Sequence, residues 1–159
     1  MQEFGARMAR AVSIAVLIAL AGCQSAGRLG ESTGENRTGA AYMAKIRADN
    51  ALPSMSPDST LEKAARQQAA LMAGAGKMSH TTSFGQNFGR RMHSNGVKGP
   101  AAENIAHGAF GPEELFARWM ASPPHRRNML DPSFTKYGLA AAQDSPGSSR
   151  RYWALVLAK

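Results

Sequence analysis

The end of the chain constrains its fold most. Tyr152 to Ala158, YWALVLA, is apolar at every position. A strand with one wet face alternates apolar with polar residues, so a run without alternation has both of its faces covered. It therefore belongs in the middle of a sheet held between two layers of helix. The preceding KYGLAAA, Lys136 to Ala142, is a second strand, and DSPGSS between them supplies turn residues, so the two pair as an antiparallel hairpin. Helical patterns occupy the earlier chain. Helices first and a hairpin last give an α+β class with a small, mostly antiparallel sheet.

The chain has 159 residues and an apolar fraction of 43%, enough to bury one domain's core without crosslinks. Residues 36–50 carry Ala40, Tyr42, Met43 and Ile46 at helical spacing. Asp58 or Ser59 caps a second helix with Leu61, Ala64, Ala65, Gln68, Leu71 and Met72 on one face, and Gly74 and Gly76 mark its exit. Phe84, Phe88 and Met92 predict a third helix over residues 84–93. A fourth begins at Pro112, with Glu113 and Glu114 at the positive end of its dipole.

The first residues stand apart. Arg7 and Arg10 precede an uncharged apolar run from Ala11 to Ala21, too short to span a bilayer as a helix and built like the core of an export signal. It ends in LAGC, which resembles a bacterial lipobox: residues 1–22 are then removed, and Cys23, the only cysteine, carries the lipid. An ordinary secretory signal cut nearby is the alternative. Residues 23–35, rich in Gly, Ser and Thr, are expected to form a tether, and the domain to run from 36 to 159. Acyl chains on Cys23 would hold the protein at a membrane surface. Gln24, in place of an aspartate, favours the outer membrane and its periplasmic face in a cell that has one.

The net charge of +8 favours an anionic partner such as an acidic envelope polymer or lipid headgroups, or simply gives a soluble surface. Export argues against nucleic acid, and the chain holds no nucleic-acid motif.

Four segments recur in a known order: MSH at 78–80, ENIA at 103–106, WMASPPHRRNML at 119–130, and YGLAAA followed by YWALVLA. Together they resemble the CAP superfamily of cysteine-rich secretory, antigen 5 and pathogenesis-related proteins, in its cysteine-poor bacterial branch. The resemblance implies a three-layer α-β-α sandwich with a cleft of two histidines and acidic groups, which binds divalent metal in some relatives. Carried over, His80 and His125 are the two histidines, and Glu103 is the acid of the ENIA loop. Ser122 stands where many relatives place a second acid.

Ser122 is also a suitable N-cap for a helix with Pro123 in its first position, which puts His125 third, beside unpaired backbone amides. That terminus, with Arg126 and Arg127, is expected to keep His125 neutral. His80, His125 and Glu103 would leave one position open on a zinc ion, as in an exchangeable site, or they form a hydrogen-bonded network without chemistry. Three functions stay open: a binding module for a lipid, a small molecule or a cation; a hydrolase with Glu103 as general base; and an interaction module for envelope polymer or protein. His93 is expected to cap carbonyls and His107 to face either the cleft or solvent. Leu115, Phe116 and Trp119 are expected in the core, and Asn104, Asn128 and Tyr137 in structural hydrogen bonds.

Overall fold

The computed structural model describes residues 31–159. The segment expected to be an export signal, and Cys23, lie outside the described residues. No helix among the described residues is long and apolar enough to cross a membrane.

Among the described residues ten elements follow in order. They are β1 (Ser32–Gly34), α1 (Asn36–Asp49), β2 (Ser56–Pro57), α2 (Ser59–Ala75), α3 (Phe88–Ser94), β3 (Ala101–Gly108), α4 (Pro112–Ala121), α5 (Pro123–Leu130), β4 (Lys136–Gln143) and β5 (Arg151–Ala158). The sheet runs β1-β4-β5-β3. Only β2 is parallel, beside β4. The hairpin pairs Lys136 with Ala158 and Gln143 with Arg151.

Both faces of the hairpin are covered, as the unbroken apolar run requires. On one face Trp153, Leu155 and Leu157 join Met43 of α1, Leu115, Phe116 and Trp119 of α4, and Met129 of α5. On the other, Tyr152, Ala154 and Val156 meet Leu61, Ala64, Ala65, Ala69 and Met72 of α2, and Met92 of α3. The result is an α-β-α sandwich. Small residues on the second face let α2 lie close to the sheet: a Cβ on Gly138 would fall 2.1 Å from the backbone of Leu61 and Glu62. Asp58 caps α2, accepting from the Leu61 amide at 2.9 Å. Gly76 ends that helix in the left-handed region (φ 59°).

The structure corrects three expectations. The expected tether ends in ordered structure, because Ser32–Gly34 pairs with Ala140–Ala142. The third helix starts at Phe88, capped by Asn87, whose side chain accepts from the Arg90 amide, and so leaves Phe84 in the preceding loop. The ENIA segment is the strand β3, paired along its whole length with β5.

Candidate functional site

The site forms at β3, a strand at the sheet's margin, where loops from both helical layers converge. Alternation along β3 turns Glu103 towards the α2–α3 layer, with Ile105, and Asn104 towards α5. Consecutive residues thus reach both layers.

Glu103 is held by a residue absent from the expected set. Nη2 of Arg91, on α3, donates to Oε1 and Oε2 of Glu103 at 2.8 Å each. The side chains are 0% and 2% exposed, so the pair is shielded from water. Nη1 of Arg91 donates to the carbonyls of His80 (2.7 Å) and Gln86 (2.8 Å). One guanidinium thereby ties the loop between α2 and α3 to β3. Arg91 lies between the apolar positions Phe88 and Met92, at spacings that put it against the core; a charge there signals a buried partner, and it is the functional residue that pattern reading missed.

His80 sits in the loop after α2, where Nε2 of Gln68 also fixes the Ser79 carbonyl at 2.7 Å. Its Nδ1 lies 2.8 Å from Oε1 of Glu103. A carboxylate in a salt bridge only accepts, so Nδ1 of His80 carries the proton and Nε2 is left with a lone pair in the neutral ring. The side chain is 53% exposed, so that nitrogen can meet a ligand.

His125 is the third residue of α5. Residues preceding a proline favour extended backbone, and Ser122 (φ −96°, ψ 116°) separates α4 from α5 in that conformation. Ser122 occupies the N-cap position and its carbonyl accepts from the Arg126 amide at 2.8 Å. Its hydroxyl makes no capping bond, against expectation. Asn104 orders this terminus from β3: Nδ2 donates to the His125 carbonyl at 3.1 Å, while Oδ1 accepts from Asn128 at 2.9 Å. At the other end of α5, buried Arg47 of α1 donates to the carbonyls of Met129 and Asp131.

Burial, and then the nearby charge of His80, lower the pKa of His125 below the ordinary histidine value. The expected neutrality therefore has a different origin, since Arg126 and Arg127 are not its causes. Arg126 instead reaches Oδ1 of Asn50 at 3.1 Å.

The expected zinc ligands do not assemble as a three-donor set: no group of three His, Cys, Asp or Glu among the described residues is placed to hold a metal. Arg91 donates to both oxygens of Glu103 and pairs its charge, which weakens the pull of that carboxylate on a cation. Glu103 is an orienting group for His80.

The remaining expectations divide. Leu115, Phe116 and Trp119 are buried. Tyr137 donates to the Asn36 carbonyl at 3.1 Å, and so is structural like Asn104 and Asn128. His93 is exposed on α3. His107, far along β3 from Glu103, stacks on Tyr152 with centroids 4.0 Å apart and lies 3.3 Å from Asp144, so it faces neither the cleft nor open solvent. An apolar recess of about 180 Å³ lies elsewhere, between α1 and α4, lined by Tyr42, Ile46, Phe116 and Met120 among others.

A mixed sheet between helical layers, with a histidine held on a buried carboxylate at its marginal strand, defines the class of fold. A profile of the Cysteine-rich secretory protein family, CAP, matches residues 40–157, and the chain belongs to that family. Uncharacterized protein YkwD of Bacillus subtilis (strain 168) is 37% identical over 95 residues, which are 58% of this chain and 37% of that protein. The chain thus spans little more than a third of that relative's length.

Three solved structures share the fold. An outer surface protein from Borrelia burgdorferi has a TM-score of 0.71 at 20% identity, covering 82% of this chain and 98% of its own. An extracellular protein containing a SCP domain from Bacillus anthracis str. Ames gives 0.67 at 22% identity, covering 79% and 40%. A cysteine-rich secretory protein from Staphylococcus aureus subsp. aureus Mu50 gives 0.62 at 18% identity, covering 77% and 37%.

Proposed function

We infer that the protein is a non-catalytic binding domain, lipid-anchored through Cys23 to the bacterial cell envelope, which takes a small polar ligand at the margin of β3 through His80 and His125. The observation that carries this is the arrangement Arg91–Glu103–His80. It holds Glu103 through both oxygens in a buried ion pair, which disfavours its use as a general base, and it fixes an exposed imidazole in one orientation. A rigid acceptor on His80 and a ring on His125 that resists protonation suit hydrogen bonding to a neutral hydroxyl or amide.

The hydrolase alternative would need a base elsewhere, and Ser122 has no histidine or acid bonded to its hydroxyl among the described residues. The apolar recess between α1 and α4 favours a second reading, in which a lipid chain binds there, apart from the histidines.

Mass spectrometry of the protein purified from its own host tests both. A polar small molecule retained by the wild type and lost in His80→Ala supports the first. A lipid retained equally by both supports the second. A peptide or ester library turned over by the wild type but not by Glu103→Gln would replace both with the hydrolase.

A further inference from the structure

Phe84 is 102% exposed and Met78 51%, the two large hydrophobic side chains exposed among the described residues. Both lie in the loop between α2 and α3. Solvating a whole phenylalanine is unfavourable, and in a loose loop the ring would fold back onto the surface. This loop is held open. The Ser79 hydroxyl donates to the Thr81 carbonyl at 2.8 Å, Arg91 grips the carbonyls of His80 and Gln86, and the Gln86 amide donates to the Ser83 carbonyl at 3.1 Å.

The ring lies along a concavity of about 510 Å³ lined by Thr81, Thr82, Ser83, Gly85, Asn87 and Arg90. That volume is within the ~300–1,000 Å³ usual for small-molecule sites. Gly85, at φ 78°, turns the loop there, and Nη1 of Arg90 lies 3.2 Å from where its Cβ would stand. Arg90 has no carboxylate partner within 4.0 Å among the described residues. The Thr82 hydroxyl is shielded from water with no hydrogen-bond partner.

An apolar ring face beside hydroxyls, an amide and one free guanidinium has the chemistry to take a ligand with an apolar face, many hydroxyls and a negative charge. We propose that the groove between Phe84 and Arg90 binds an acidic saccharide, with a sugar ring stacked on Phe84 and its carboxylate paired with Arg90. A bilayer fits less well, because insertion of Phe84 would bury the polar lining and the charge of Arg90 in the same step. Neither His80 nor His125 lines this concavity, although His80 precedes Thr81 in the same loop.

The test uses the full chain in detergent, titrated with tetragalacturonate, chitotetraose, inorganic phosphate, and vesicles of phosphatidylcholine with phosphatidylglycerol. Amide chemical shifts of residues 81–90 and calorimetry report binding. Tetragalacturonate should saturate and shift those amides. Phe84→Ala should weaken it about tenfold, as loss of an aromatic contact does. Arg90→Gln should weaken tetragalacturonate and abolish its preference over chitotetraose, and added salt should act in the same direction. His80→Ala should leave this binding intact while removing any polar ligand at β3, which separates failure of this proposal from failure of the other. Neither side chain is buried, so unchanged melting temperatures will confirm that both variants fold. The proposal is overturned by absence of saturable binding to tetragalacturonate, by binding that survives Phe84→Ala, by phosphate matching tetragalacturonate, or by vesicles shifting these amides when sugars do not.

Discussion

Arg91 and Glu103 form a buried ion pair in which one guanidinium nitrogen sits 2.8 Å from both carboxylate oxygens. Removing one partner leaves the other charge buried and unpaired, which costs about 3–5 kcal/mol. Glu103→Gln and Arg91→Met should each destabilise by about that much in urea unfolding, and the double variant should be more stable than the sum of the two losses implies. Additive losses would show that the pair is not energetically coupled.

His125 should make stability depend on pH. Its folded pKa lies below the ordinary value of about 6.5, so the unfolded chain binds the proton first as pH falls. The contribution is whole above that value and is lost on acidification through the window beneath it. His125→Asn should flatten this part of the stability curve. A wild type whose stability rises between pH 7 and pH 5 would contradict the sign.

Gly138→Ala places a methyl group against backbone atoms of α2 that cannot rotate away. A loss of about 3 kcal/mol or more is expected, at the upper end for overpacking. Calorimetric melting should show it, whereas Gly147→Ala, with open space around it, should cost only its backbone strain.

Zinc should leave the melting temperature of the wild type unmoved. A resident site would add about 2.7 kcal/mol at 100 times its dissociation constant. A zinc-dependent rise lost in Glu103→Gln would restore the carboxylate as a ligand.

Much of this architecture could be read from the sequence. The unbroken apolar run in β5 required two covering layers, and the caps of α2 located its ends. The strand β3 was hidden because its sequence, AAENIAHG, places a glutamate and an asparagine in buried positions. Such residues look like loop until their partners, Arg91 and α5, are known. Phe84 misled because its i, i+4 spacing to Phe88 matches a helix, yet the helix cannot extend back past the Asn87 cap. Family likeness implies that His80 and Glu103 share a cleft, but no local pattern announces that Arg91, twelve residues earlier on α3, pairs with the carboxylate.

The central claim is that Glu103 orients His80. Long-range ¹H–¹⁵N correlation of the histidine rings near pH 8, where a free imidazole is neutral, reads this directly. The account predicts a proton on Nδ1 of His80 and a bare Nε2, with that preference lost in Glu103→Gln. A wild-type ring protonated on Nε2 would contradict it.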